Sequence, residues 1–270
     1  MPEALSPGLA AALGALQGVT EFLPISSSGH LSLAQAWLGV DPEAAGHRFN
    51  IVVHAGTLLA VLWVYRGDLL SLIRALLPGG EARSRRLLVA LIVGTLPLGL
   101  ALVPAIEGAV VAIEGRPAWI GASLLVTAAL LAYSHFARPR GDDPDAPPSA
   151  PQALVIGLFQ LLAITPGISR SGSTIAAALG LGISRLEAAR FSFLLSIPAI
   201  LGASLKEVLE IVGQPTASAG DPLPYVIGFV TSLVVGLASL RLLVHLLVRV
   251  GLLPFVPYLV LLGLAAIVAG

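Results

Sequence analysis

Two short polar stretches carry the side chains of this chain that could do chemistry. The first reads QGVTEFLPISSSGH at residues 17–30, and the second reads TPGISRSGST at residues 165–174. Both lie in a chain of 270 residues that is 56% hydrophobic and only 11% charged. So few charges cannot cover a water-facing surface, which predicts a polytopic membrane protein. Because an ionisable side chain is costly inside a bilayer, those within the two stretches are candidate functional residues.

The first stretch combines a carboxylate, an imidazole and hydroxyls. Glu21 is able to orient and charge-stabilise the His30 ring, as a carboxylate does in catalytic triads. His30 would then act as general base or acid, because its pKa is naturally close to the working pH. Ser27 lies three residues before His30 and is a candidate nucleophile, and a water activated by His30 would serve equally well. Gln17 shares a helix face with Glu21, and Ser26 is a candidate helix cap or anion ligand.

A structural explanation of the same residues stays open at this point. Glu21 would then sit at the headgroup level or cap a helix, and His30 would only bond to the backbone. The flanking serines favour the functional interpretation of the pair over the structural one.

The second stretch has the features of a phosphate site. Arg170 carries a planar, permanently charged guanidinium that suits bidentate contact with phosphate. A helix predicted to start at residue 175 would add free N–H groups and a favourable dipole. No Gly-Lys-Ser/Thr sequence follows the glycines, so this stretch is not a Walker A loop. The other candidate phosphate ligands here are Ser169, Ser171, Gly172, Ser173 and Thr174.

The apolar segments predict an all-α polytopic membrane protein. Six of them have the length of one membrane crossing, namely 49–65, 87–105, 118–136, 188–205, 225–248 and 252–269. Residues 8–40 and 152–183 instead place a polar stretch between two short apolar runs. Such a pattern predicts two re-entrant helix–loop–helix hairpins, since broken backbone is tolerated at membrane depth where it lines a cavity.

The two halves of the chain are related to each other. A shift of 143 residues sets Gln17 on Gln160 and the Ser-x-Ser-Gly of 26–29 on that of 169–172. We predict a first repeat at 1–137, a cytoplasmic linker loop at 138–151 and a second repeat at 152–270. Each repeat would supply one hairpin and three crossings, and this odd number of crossings inverts the second repeat.

The arginines predict the orientation in the membrane. Five of them fall in the segment 66–86, which therefore belongs in the cytoplasm. The first hairpin would then enter the membrane from outside and the second from the cytoplasm.

At the two polar stretches the chain resembles the undecaprenyl-diphosphate phosphatase family of the bacitracin-resistance type. The residues that carry the resemblance are QGVTEFLPISSSGH at 17–30 and PGISRSGST at 166–174. They match the family patterns (E/Q)xxxE, FLPxSSxGH and PGxSRSGxT, and the similarity continues through RFN…VHAGTLLAV and RFSFLLSIPA. Gln17 is the variant at a position that is often Glu, so Glu21 would carry the acidic role alone.

The resemblance implies a hydrolase that removes the terminal phosphate of undecaprenyl diphosphate at the outer face of the bacterial plasma membrane. The product would return to carrier use in cell-wall synthesis. A homodimer is implied, as is activity helped by a divalent cation such as Mg²⁺ or Ca²⁺, with no organic cofactor. The residues implied are Glu21, Ser27, His30, Arg170 and Thr174, supported by Gln17, Ser26, Ser169 and Ser171.

Other classes of function are less compatible with the composition. A net charge of zero argues against nucleic acid as a partner. The absence of cysteine excludes disulfides and thiolate metal sites. The alternative that remains is a transporter, either a lipid-phosphate flippase or an anion transporter, because inverted repeats with broken helices are a transporter architecture. We predict that the two polar stretches meet and form one phosphate-handling site inside the membrane. The acid–base residues of the first stretch would then lie beside Arg170 and favour an enzyme, since transport alone needs no acid–base pair.

Overall fold

The computed structural model describes residues 5–38, 42–113, 116–137, 143, 145–212 and 221–269. Throughout these ranges the regular structure is helical, without a β-strand. The helices are α1 (Pro7–Phe22), α2 (Ser27–Leu38), α3 (Pro42–Val64), α4 (Arg66–Ala75), α5 (Ala82–Thr95), α6 (Pro104–Ile113), α7 (Pro117–Ser134), α8 (Ala150–Leu162), α9 (Arg170–Gly180), α10 (Arg185–Val212), α11 (Leu223–Arg249) and α12 (Val256–Ala269).

Within the ranges that the structure describes, four helical segments are long and apolar enough to cross a membrane. They are Ala82–Leu102, Pro117–Ser134, Arg185–Lys206 and Leu223–Arg249. A fifth candidate is the pair Arg48–Val64 and Arg66–Ala75, which bends by 72° at its break. These segments coincide with five of the six predicted crossings, so the prediction of a multi-pass, all-α membrane protein is confirmed. The sixth predicted crossing coincides with the shorter apolar segment Leu253–Ala269, and as a crossing it stays a prediction.

Each predicted hairpin consists of two short helices around its polar stretch. The first contains α1 and α2, and the second contains α8 and α9. Capping side chains and prolines determine the residues at which α1 and α8 begin. The Ser6 hydroxyl accepts a hydrogen bond from Leu9 N at 3.2 Å, and Ser149 with Gln152 forms a capping box before α8. Proline near the first position of each helix has a backbone angle suited to a helix start.

Three segments differ from the sequence-based expectation. The predicted loop 66–86 contains the helix α4, and α6 follows the predicted second crossing as an additional helix. The described part of the linker 138–151 ends in the first turn of α8, and residues 138–142 and 144 lie outside the described residues. Residues 39–41, at the end of the first predicted hairpin, lie outside them as well.

Polar and apolar side chains are distributed as expected for a protein in lipid. Large apolar residues such as Trp63, Leu102 and Val268 are exposed on the outside. The inside holds many hydroxyl and amide side chains, and α9 is buried over nearly its whole length, from Ser171 to Leu179. A helix rich in Ser, Gly and Ala has few bulky side chains, so neighbouring helices can approach it closely. This packing places α9 against α7, α8 and α10.

Glycines let three pairs of helices approach at backbone distance. The pairs are Gly14 of α1 with Gly228 of α11, Gly157 of α8 with Gly94 of α5, and Gly121 of α7 with Gly263 of α12. A Cβ on the first glycine of each pair would lie between 2.3 and 2.6 Å from its partner's carbonyl oxygen. Close approach through small residues is how helices associate in lipid, where there is no hydrophobic driving force between them.

An ionic network joins the two halves at the end of the bundle that carries the arginine-rich segment. Arg190 of α10 pairs with Asp68 of α4, and its Nη1 lies 3.1 Å from Glu187 Oε2. Glu187 is only 3% exposed, so its charge is compensated by a partner inside the protein. This network attaches α4 to α10.

Candidate functional site

The two polar stretches contact each other through their turns. Gly29 and Gly167 pack so closely that a Cβ on Gly29 would lie 2.9 Å from Gly167 Cα. Gly167 has φ +93°, in the left-handed region that glycine adopts at little cost. A side chain there would also meet the Ile120 carbonyl oxygen at 2.6 Å. Backbone contact of this kind brings the polar side chains of the two turns together.

Matching serines cap the second helix of each hairpin. The Ser26 hydroxyl accepts a hydrogen bond from Gly29 N at 3.3 Å, and the Ser169 hydroxyl accepts one from Gly172 N at 3.1 Å. These residues correspond under the shift of 143 found in the sequence. The backbones differ, because φ is −69° at Ser169 and +75° at Ser26. A positive φ is uncommon for serine and indicates a turn held by its surroundings.

Glu21 is the centre of the site. Its Oε1 accepts from Arg170 Nη2 at 2.5 Å, and its Oε2 accepts from the Ser27 hydroxyl at 2.7 Å. Gln17 Nε2 donates to the same Oε2 at 3.1 Å. The side chains of Glu21 and Arg170 are only 8% and 14% exposed, so this is a largely desolvated ion pair. Residues from both halves of the chain therefore form one cluster.

Arg170 is only partly engaged by these contacts. Its Nη1 is buried and has no hydrogen-bond partner within the described residues. A guanidinium has five N–H donors in a planar fork, so an unpaired nitrogen beside an occupied one can receive an anion. Burying such a donor unpaired costs free energy, which an incoming oxyanion would recover.

A small polar cavity of about 70 Å³ lies beside this cluster. Its walls combine the guanidinium and carboxylate with several hydroxyls. The lining residues are Thr20, Glu21, Ser26, Ser27, Ser28, Ala163, Ile168, Ser169 and Arg170. Hydroxyl donors around one fixed cation form an environment that suits a tetrahedral oxyanion such as a phosphoryl group.

His30 does not pair with Glu21, contrary to the expectation from the sequence. Its Nδ1 lies 2.7 Å from the Ser26 carbonyl oxygen, and its Nε2 lies 2.6 Å from the Tyr258 hydroxyl. Both ring nitrogens are therefore engaged, and the ring is absent from the cavity wall described above. The reason is local: His30 lies one turn after Ser26 in α2, so its ring folds back on that carbonyl. In this conformation the group that contacts the Ser27 hydroxyl is Glu21.

The start of α9 also differs from the expectation. The helix begins at Arg170 rather than at residue 175, so the following polar residues form its first turn. The Gly172 and Ser173 N–H groups, predicted to hold phosphate, both bond to Ser169. The Ser173 hydroxyl donates to the Ser169 carbonyl at 2.6 Å. Thus these residues order the turn, and the cavity is lined by Ser169 and Arg170.

Two further predicted residues lie behind the cavity. Ser171 is buried, with its hydroxyl 3.3 Å from that of Ser169. Thr174 donates to the Arg170 carbonyl at 2.8 Å and lies 2.6 Å from the Ser192 hydroxyl of α10. Both residues connect the start of α9, where Arg170 lies, to its surroundings.

Thr127 of α7 is a site residue that the sequence does not indicate. Its hydroxyl donates to the Gly167 carbonyl at 2.9 Å and accepts from Ser169 N at 3.0 Å. One buried hydroxyl thus holds both sides of the turn that presents Arg170. A lone threonine in an apolar helix carries no local signal of this role, since its two partners are 40 and 42 residues away in the sequence.

Replacing Thr127 by valine should lower both stability and activity. Valine keeps the shape but leaves the Gly167 carbonyl and the Ser169 N–H buried without this partner, at a cost of about 1–3 kcal/mol each. We expect a lower midpoint of thermal unfolding in detergent, together with slower turnover. Thr95→Val is the matched control, because that hydroxyl donates to Leu91 of its own helix. Equal behaviour of the two variants would contradict the role given to Thr127.

The comparisons with known proteins agree with the resemblance seen in the two stretches. A family model described as "Bacitracin resistance protein BacA" matches residues 10–265. A protein of Methanosphaera stadtmanae named undecaprenyl-diphosphatase is 40% identical over 271 residues, covering 95% of each chain. A protein of the same name from Geobacter metallireducens is 40% identical over 266 residues, covering 96% of each chain. Another from Bacteroides fragilis is 36% identical over 259 residues, covering 95% of each chain. On this similarity, which spans nearly its whole length, the chain belongs to the BacA family.

Proposed function

We propose that this protein hydrolyses undecaprenyl diphosphate to undecaprenyl phosphate and inorganic phosphate. The relatives reported above are named for this substrate, and family membership supports the same chemistry. The observation that carries the proposal is the buried Arg170, with one unpaired nitrogen, beside a serine hydroxyl bonded to a carboxylate. A lipid diphosphate is the class of substrate that needs such an anion site inside a membrane protein.

Binding would begin with exchange of partners at Arg170. The terminal phosphate would take the unpaired Nη1 and compete with Glu21 for Nη2, because both partners are anions. The hydroxyls of the cavity wall would donate to the remaining phosphate oxygens. Charge that builds on the transferred phosphoryl group would be stabilised by the guanidinium, which is already fixed in place.

The phosphoryl transfer would use the Ser27–Glu21 pair. Ser27 Oγ attacks the terminal phosphorus, its proton passes to Glu21 Oε2, and the anhydride P–O bond breaks to release undecaprenyl phosphate. Water then hydrolyses the phosphoserine and inorganic phosphate leaves. Alternatively, a water that donates to Glu21 attacks the terminal phosphorus directly, its proton passes to Glu21, and the anhydride P–O bond breaks to release undecaprenyl phosphate.

The residues present do not fit a metal ion held by the protein alone. Both carboxylate oxygens of Glu21 already accept hydrogen bonds, and the described part of the chain contains no group of three or more Asp, Glu, His or Cys side chains that could hold a metal ion. We propose that Mg²⁺ or Ca²⁺, where it helps activity, acts as the counter-ion of the diphosphate.

We propose that the architecture is an inverted-topology repeat of 1–137 and 152–270 around a linker at 138–151. Both hairpins, 8–40 and 152–183, would be re-entrant and would meet near the midplane. The matching caps Ser26 and Ser169 support this assignment, as do the contacts of α1 with α11 and of α8 with α5. In each contact, the first helix of one half packs against the second predicted crossing of the other.

We further propose a location in the bacterial plasma membrane, with the site opening to the outer side. The basic segment 66–86 supports a cytoplasmic position for the opposite end of the bundle. The product would re-enter carrier use for cell-wall synthesis. The functional unit would be a homodimer in the bilayer.

The experiment that tests the function is phosphate release by the purified protein in detergent. With undecaprenyl diphosphate as substrate, we expect inorganic phosphate and undecaprenyl phosphate in equal amounts. Detergent removes the membrane barrier, so a flippase or anion transporter without hydrolytic activity would release nothing. Absence of phosphate release by well-folded protein would overturn the proposed function.

A further inference from the structure

Tyr258 contacts the site although it belongs to neither polar stretch. Its hydroxyl lies 2.6 Å from His30 Nε2, and the two rings are stacked with centroids 5.7 Å apart and 14° between their planes. Tyr258 is on α12, whereas His30 is on α2 in the other half of the chain. This contact is therefore a direct connection between the last helix and the first hairpin.

The partners of His30 determine which nitrogen carries its proton. A carbonyl oxygen only accepts hydrogen bonds, so the Nδ1 next to the Ser26 carbonyl is the protonated nitrogen. In the neutral ring Nε2 is then an acceptor, and the Tyr258 hydroxyl donates to it. His30 has no ring nitrogen left to take a proton from Ser27 in this arrangement.

The carbonyl that His30 holds belongs to the unusual turn at Ser26. Because Ser26 has φ +75°, its backbone is in a conformation that serine adopts only when its surroundings compensate. The His30 Nδ1–H and the Gly29 N–H both bond to Ser26, the first to its carbonyl and the second to its hydroxyl. The next residue is Ser27, whose hydroxyl lies 2.7 Å from Glu21 Oε2.

We propose that Tyr258 is a positioning residue for the phosphatase reaction, acting through His30. The Tyr258 hydroxyl fixes the His30 ring, the ring holds the Ser26 carbonyl, and this turn keeps the Ser27 hydroxyl against Glu21. His30 is then a positioning residue too, in place of the general base expected from the sequence. This inference rests on the proposed hydrolysis of undecaprenyl diphosphate.

The first test is Tyr258→Phe, which removes the hydroxyl and keeps the stacked ring. Because Tyr258 contacts His30 and is not among the residues that line the cavity, kcat should fall about tenfold while KM stays within about twofold. Tyr225→Phe is the matched control and should keep wild-type kinetics, since its ring packs against Phe49 and it is not among the residues that line the cavity. An unchanged kcat in Tyr258→Phe would overturn the inference.

The second test compares two replacements of His30. The amide nitrogen of asparagine reaches the position of Nδ1, and that of glutamine reaches the position of Nε2. His30→Asn should therefore keep the hydrogen bond to the Ser26 carbonyl and have about the same kcat as Tyr258→Phe. His30→Gln loses that hydrogen bond, so its kcat should be lower. Adding Tyr258→Phe to His30→Asn should cause no further loss, because residues that act as a unit are not additive.

The outcomes of these tests are separable from the failure of the proposed function. Equal inactivity of His30→Asn and His30→Gln would identify His30 as an acid–base group and overturn the inference. Full additivity of Tyr258→Phe and His30→Asn would overturn it as well. Inactivity of the well-folded wild type would instead overturn the proposed function. If Tyr258→Phe fails to fold, the comparison of the two His30 variants in a wild-type background still decides whether His30 is a positioning residue or an acid–base group.

Discussion

Arg170→Ala should reduce phosphate release by about 10³-fold, since it removes the fixed cation for the transferred phosphoryl group. No other arginine among the described residues lines the cavity. A lysine at this position keeps the positive charge and its pairing with Glu21 but lacks the planar fork. The rate of phosphate release by Arg170→Lys should therefore lie between that of the wild type and that of the alanine variant. Steady-state phosphate release in detergent measures both.

The controls must separate lost chemistry from lost folding. Removing Arg170 leaves the buried Glu21 without its cation, which destabilises the protein by itself. Each variant is therefore compared by gel filtration and by the midpoint of thermal unfolding before its kinetics are measured. Arg249→Ala, at an exposed position at the end of α11, should keep wild-type turnover. Near-normal turnover by a folded Arg170→Ala variant would contradict the role given to this residue.

The general architecture follows from the sequence because lipid imposes simple constraints. A backbone in hydrocarbon must satisfy its own hydrogen bonds, so long apolar runs in the sequence predict helices. The polar stretches are equally informative, since ionisable groups in lipid require partners and tend to meet one another. On this reasoning Glu21 and Arg170 are expected to lie together, and they form an ion pair although 149 residues separate them.

The partners within the site could not be predicted in the same way. Spacing along a helix does not determine how a turn is rotated, and the positive φ at Ser26 directs Ser27 rather than His30 towards Glu21. Tyr258 lies 228 residues from His30 in an apolar helix. A lone tyrosine near a membrane surface is ordinarily explained by interfacial anchoring. Its contact with the site depends on helix packing, which periodicity alone does not give.

Ser27→Ala should reduce turnover by about 10²- to 10⁴-fold if serine is the nucleophile. The hydroxyl lies 2.7 Å from a carboxylate that can take its proton, and it lines the polar cavity beside Arg170. Ser28→Ala is the matched comparison. Its hydroxyl lies in the same cavity wall, and its hydrogen-bond partner among the described residues is the Ser26 hydroxyl, at 3.4 Å, so a much smaller loss is expected.

The route through Ser27 also predicts a covalent phosphoserine. Acid quenching during turnover, followed by mass spectrometry of the peptide containing residues 17–30, should detect phosphate on Ser27. Direct attack by water predicts no such adduct and leaves Ser27→Ala with most of its activity. In that case Glu21 alone would activate the water, and Glu21→Gln would remain inactive while Ser27→Ala did not. The Ser27–Glu21 hydrogen bond would then orient the carboxylate rather than activate the serine.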